Sequence, residues 1–234
     1  MKYKPSQKFA GVSIASSEVV DGSIIMDTKE SVACGKKFLE KIGAPDALCY
    51  MPQVHGNKII VVDRTGEYTG VDGLLTQKNL TLAVKTADCI PVIIYDAKTG
   101  YIGAIHAGRK SICLGILSVS LGEILKMQSI DPSDLVVFLG PHIRCKNYGL
   151  RQETAKELEG TKWKQYLVRI GDKTHFDLTR GAKCELEEIG VKADNIEDCG
   201  IDTFEDERFF SVRKSPGDQS KRFLTVVYKH ETGN

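Results

Sequence analysis

Three side chains in this 234-residue sequence have types that suit a single metal ion: His55, Cys89 and His106. Imidazole nitrogen and thiolate sulfur are both good donors to zinc, and three protein ligands leave a fourth coordination position open. An open position marks a catalytic site, at which water is acidified or a substrate oxygen polarised. The chain holds only five histidines, so their placement carries information. His55 stands in Gln53-Val54-His55-Gly56, just before a β-branched run. Cys89 lies at the junction of two apolar runs, and His106 where a strand gives way to a helix. All three fall at element ends, where a rigid scaffold presents its chemistry. The intervals of 34 and 17 residues match no compact metal motif. They fit equally a core cysteine and two ordinary histidines at strand ends.

The elements that must position these residues follow from periodicity. Ser31 to Ile42 carries apolar residues on one helical face, with Gly43 as the stop. Lys58 to Val62, Thr81 to Lys85, Ile90 to Tyr95 and Tyr101 to Ile105 read as strands. Pro91 lacks a backbone donor, which predicts an edge or a bulge at the start of the third. Ser111 to Met127 reads as a helix despite Gly115 and Gly122, and Leu135 to Leu139 as a strand. Thr179 is placed to cap a helix running to Ile189, with Gly190 just past its end. Phe209 to Val212 and Phe223 to Tyr228 read as closing strands. Strands and helices mix without strict βαβ alternation, so the expected class is mixed α+β, a mixed sheet flanked by helices. No repeat or linker divides the chain, so residues 1–234 are read as a single domain.

Composition narrows the function classes. Hydrophobic residues make up 41% and charged residues 27%, which is ordinary globular usage. A formal net charge of +1 gives no global field that would attract nucleic acid or a membrane surface. Met1 to Lys8 has no apolar core of a signal peptide, and the longest apolar stretch, Cys89 to Tyr95, is far too short to span a bilayer. Seven cysteines without CxxC spacing fit free thiols in a reducing cytoplasm rather than a disulfide framework.

Five blocks occur in a telling order: Gln53-Val54-His55-Gly56, Val71-Asp72-Gly73-Leu74-Leu75-Thr76, Thr86-Ala87-Asp88-Cys89-Ile90-Pro91, Ile105-His106-Ala107-Gly108 and Leu139-Gly140-Pro141-His142-Ile143. The sequence resembles the YfiH family, also labelled polyphenol oxidase, laccase-domain or peptidoglycan-editing-factor proteins. Phe176-Asp177-Leu178, Asp198-Cys199 and Phe209-Phe210-Ser211-Val212-Arg213-Lys214 resemble its C-terminal blocks. The family's metal ligands fall on identical residues here: His55, Cys89 and His106. The resemblance implies a single mixed α/β domain and zinc-dependent purine nucleoside chemistry. That chemistry is phosphorolysis of adenosine, inosine, guanosine or methylthioadenosine, and deamination of adenosine. Its partners would be a purine nucleoside and inorganic phosphate.

Phosphorolysis needs a cationic place for the phosphate, and a helix beginning after His106 offers one. Arg109 and Lys110 stand there, as candidates for phosphate or ribose contact, although two solvated basic residues would look the same. Asp72 and Asp88 are the acid–base candidates, Asp88 being adjacent to a proposed ligand. A turn aspartate also commonly caps backbone N–H groups. Gln53 shares a side with His55 in extended chain and is placed to meet substrate. Three features depart from the family pattern. Arg109, Lys110 and Ser111 replace its Trp-Arg-Gly, Gly149 follows Tyr148 where it has Glu, and Ala10-Gly11-Val12-Ser13 lacks its early arginine. A metal-stabilised binding protein and a Cys89–His hydrolase are the rival readings. A multicopper oxidase would need His-x-His pairs that the chain lacks, so copper is the lesser metal.

Overall fold

Strand runs such as Ile90–Tyr95 are apolar at nearly every position because both of their faces are covered. The computed structural model describes residues 1–218 and 220–230. Its strands in the first half are β1 (Val12–Ser16), β2 (Leu48–Tyr50), β3 (Ile59–Val61), β4 (Gly66–Glu67), β5 (Gly73–Thr76), β6 (Thr81–Thr86), β7 (Ile90–Tyr95) and β8 (Ile102–Ala107). The remainder are β9 (Val136–Leu139), β10 (Leu167–Ile170), β11 (Lys173–Phe176), β12 (Ile196–Asp198) and β13 (Phe223–Lys229). The helices are α1 (Lys29–Ile42), α2 (Arg109–Cys113), α3 (Leu121–Met127), α4 (Gln152–Glu159) and α5 (Leu178–Glu188).

The class is mixed α+β, with most strands shared between two mixed sheets. One has the order β1-β13-β6-β2-β4 and the other β12-β9-β7-β8-β5-β3; β10 and β11 form a separate hairpin. Side-chain alternation assigns each residue to a layer. Ala83, Leu224 and Val226 pack outward against Phe38 and Leu39 of α1. Leu82, Val84, Ile93, Ala104 and Phe138 fill the space between the sheets. Val92, Ile94 and Ile105 face the other way, against Ile112, Leu121 and Leu186 of the helices. The layers therefore run helix, sheet, sheet, helices. By the same alternation His106 lies on the inter-sheet face of β8, with Ala104. Among the described residues, no helix is long and apolar enough to cross a membrane.

Several expectations need adjustment. β8 runs through His106 to Ala107, so His106 sits inside the strand rather than after it. Pro91 is in register within a central strand, opposite His106. Its carbonyl accepts from Gly140 N just past β9, so its missing N–H falls where that ladder has already ended. The helix predicted over 111–127 is broken at Gly115, which has φ +77° and where a Cβ would lie 2.8 Å from Val119 Cγ2. A π-helical turn, Ile116–Ser120, joins the two pieces. Buried Glu185 of α5 serves this break, accepting from Ser118 Oγ at 2.7 Å and Leu117 N at 3.3 Å. Asp177, not Thr179, caps α5, accepting from Arg180 N. Phe209 to Val212 forms turns rather than a strand: Phe209 packs on Phe223, and Ser211 O accepts from Ser215 N.

Ile93, with no exposed surface, is held between the two sheets. Ile93→Ala should cost about 2–5 kcal/mol of stability in denaturant unfolding. A cost below about 1 kcal/mol would contradict this layering.

Candidate metal centre and its cavity

Parallel pairing of β3 with β5 and antiparallel pairing of β5 with β8 bring three chain segments together at Asp72, the residue before β5. The Asp72 carbonyl accepts from His106 N at 2.7 Å, locking the ends of β5 and β8. Its carboxylate Oδ1 accepts from His106 Nδ1 at 2.8 Å and from His55 N at 2.9 Å. Oδ2 accepts from Gly56 N at 2.8 Å and Val54 N at 3.3 Å. Asp72 has no exposed surface. Burial pushes its pKa up, but the His106 imidazole and the backbone N–H groups outweigh this and hold it below the ordinary carboxylate range. The loop they fix carries His55 at φ +59°, a left-handed conformation.

With Nδ1 donated to Asp72, His106 has Nε2 left for the Cys89 side, the arrangement by which an outer carboxylate orients a metal-binding imidazole. The rings of His55 and His106 meet edge to face at 4.7 Å between centroids. The donor atoms of His55, Cys89 and His106 all lie within 4.8 Å of one another. Burial would raise the Cys89 thiol, yet His106 first and His55 second bring it down to about 6. Burial would likewise lower His106, but the Cys89 sulfur and Asp72 raise it to about 9. The group thus offers a thiolate and two imidazoles around one point, a donor set suited to zinc with one position left open. A multicopper centre needs several such groups; among the described residues only this one assembles. Gly108 permits the approach, since a Cβ there would lie 2.8 Å from Cys89 Sγ.

A cavity of about 620 Å³ opens on the three donors. Gln53 and Asp88 line it, together with Thr86, Tyr148 and Arg213, which sequence reasoning did not assign to the site. Asp88, at φ +91°, accepts from Thr203 Oγ1 at 2.8 Å through Oδ1 and from Arg213 N at 2.8 Å through Oδ2. Both oxygens therefore tie the C-terminal turns to the site. The Arg213 guanidinium lies 4.7 Å from the Tyr148 ring centroid, and its Nη1 donates to Gly149 O. Burial raises the Tyr148 hydroxyl to about 12, with the Arg109 guanidinium beside it. Arg109 is half-buried behind Tyr148; Lys110 is exposed, and neither lines the cavity. The sequence signal for Tyr148 and Arg213 lay in blocks resembling the family's own, with no ligand-type residue to draw notice. His142 is buried and satisfied, pairing with Gly140 O and Thr179 Oγ1, and His175 pairs with Cys145 O.

Residues 6–229 match the family described as multi-copper polyphenol oxidoreductase laccase. The chain belongs to this family. As a YfiH-family protein it is 36% identical over 181 residues to a purine nucleoside phosphorylase of Campylobacter jejuni, covering 76% of each chain. A purine nucleoside phosphorylase of Mycobacterium bovis is 30% identical over 213 residues, 88% of this chain and 83% of the relative. The fold is that of Bacillus licheniformis YfiH, with a TM-score of 0.83 at 21% identity over 94% and 93% of the chains. Geobacillus stearothermophilus YlmD gives a TM-score of 0.85 at 22% identity over 97% and 94%.

Asp72→Asn should weaken zinc binding about 10- to 100-fold in a chelator competition titration, and an unchanged affinity would refute the orienting role. In the metal-free protein, ultraviolet thiolate absorbance should fall as pH drops through about 6, a step absent from Cys89→Ala.

Proposed function

We propose that this YfiH-family chain is a zinc-dependent purine nucleoside enzyme. It would phosphorolyse adenosine, inosine, guanosine or methylthioadenosine, and deaminate adenosine. The observation that carries the reading is the three-donor centre in the wall of a cavity of nucleoside-accommodating volume, about 620 Å³. The relatives named purine nucleoside phosphorylase support the substrate class. Bound between His55, Cys89 and His106, zinc would act as a Lewis acid and lower the pKa of water in its open position.

In phosphorolysis a phosphate oxygen forms a bond to ribose C1′ while the C1′–N9 bond breaks. Its electron pair leaves on the purine, which then takes up a proton. The chain's part is to bind and orient. Gln53 lies in the cavity wall and would meet the nucleoside there. Arg213, with Lys85 and Arg222 in the cavity wall, would supply the positive charge that a phosphate requires, and Arg109 stands behind Tyr148. Lys110, outside the cavity, would add only to the field at its approach. Asp72 works through His106, by fixing which nitrogen carries the proton and which faces the metal. Asp88 works through the backbone of Arg213, whose position it sets.

Zinc-loaded protein incubated with adenosine, inosine or methylthioadenosine should release free base only when phosphate is present. Conversion of adenosine to inosine without phosphate would establish the deaminase activity. Zinc retained at full stoichiometry with no product under any condition would overturn the enzyme reading, leaving a metal-stabilised binding protein.

A further inference from the structure

Two polar atoms in the cavity wall are buried without a partner. Gln53 Oε1 and Thr86 Oγ1 are both screened from solvent and accept or donate no hydrogen bond among the described residues. Thr86 is only 1% exposed. It ends β6 on the inter-sheet face, opposite Phe223 and three residues before Cys89. Gln53 precedes His55 by two residues. Its amide orientation is settled by chemistry. Nε2 donates to the Lys85 carbonyl, which only the nitrogen end can do, so the oxygen end is left over. Buried polar groups are rarely left unmatched. Among the described residues Ser111 Oγ and Arg144 Nε are orphaned too, but only Gln53 Oε1 and Thr86 Oγ1 lie in the cavity wall, where a ligand can match them.

The two atoms also specify the chemistry of that ligand. An amide carbonyl can only accept, whereas a threonine hydroxyl can donate and accept. The pair therefore calls for a group that offers an O–H or N–H donor. A phosphate dianion is the wrong partner, because its oxygens would face the negative end of the amide dipole. The cationic side chains of the cavity wall are Lys85, whose Nζ donates to Ile25 O at 2.8 Å, Arg222, and Arg213 against Tyr148. Resting on the nucleoside reading above, we infer that Gln53 and Thr86 form a subsite which selects the nucleoside through one of its hydrogen-bond donors. That donor is a ribose hydroxyl or the exocyclic amine of a 6-aminopurine.

Thr86→Val removes the hydroxyl at nearly constant volume, and Thr86→Ser restores it. Zinc stoichiometry and the thermal melt of each variant check that the fold survives. The measurements are kcat/KM with phosphate, and calorimetric affinity without it, for adenosine, inosine, 2′-deoxyadenosine and 3′-deoxyadenosine. Thr86→Val should weaken adenosine by at least about tenfold, with Thr86→Ser recovering most of the loss. If a ribose hydroxyl is the donor, the loss disappears with one of the deoxynucleosides. If the amine is the donor, it disappears with inosine. Equal losses for all four nucleosides, or none, would overturn the subsite while leaving the enzyme reading intact. Failure of the unsubstituted zinc protein to bind or turn over any of the four would overturn both.

Discussion

A carboxylate with no exposed surface is tolerable in this molecule because four N–H donors converge on it. Asp72 takes one from an imidazole and three from the backbone of a single loop, and its own carbonyl holds the strand that carries the imidazole. Removing its charge from water is offset only while all of these stay in place. The loop 54–56, the end of β5 and the end of β8 are thereby fixed relative to one another. Two of the three candidate metal donors are positioned by the same buried charge. The third, Cys89, arrives from the neighbouring strand β7, paired to β8 along its whole length. The site inherits its rigidity from the sheet.

The layered packing explains why the cavity opens where it does. Both sheets turn apolar residues into the space between them, and that space is filled by Ile93, Ala104, Phe138 and Leu82. Thr86 and His106 continue the same faces beyond the apolar residues. Polarity therefore begins where the packing of the two sheets stops, and the cavity is the unfilled end of the inter-sheet layer. The C-terminal turns that close it, around Ser211 to Arg213, are anchored by Asp88 from across the gap.

Much of this was legible in the residues. His55, Cys89 and His106 have side chains that suit few purposes together, and the strands flanking them have clear periodicity. What escaped was whatever depends on partners distant in sequence. Asp72 and Asp88 look alike as turn aspartates, yet one meets a histidine 34 residues on and the other a backbone N–H 125 residues on. Phe209 to Val212 is apolar enough for a strand, but its backbone bonds go to turns. Gly115 carried a visible warning against one continuous helix, and the π turn is how the chain absorbs it. Gly108 gave no local sign of its role, because the constraint there is the Cys89 sulfur, not its own backbone.

The placement of His106 inside β8 gives the centre a second meaning. Consecutive residues of a strand face opposite layers, so a slip of one residue in pairing would turn His106 toward the helices and bring Ile105 to the cavity. Asp72 would lose its imidazole, and the three donors could not meet. The three donors therefore come together only in a chain that has already paired its central strands in this register. The meeting of His55, Cys89 and His106 thus reports on the register of the sheet that carries them.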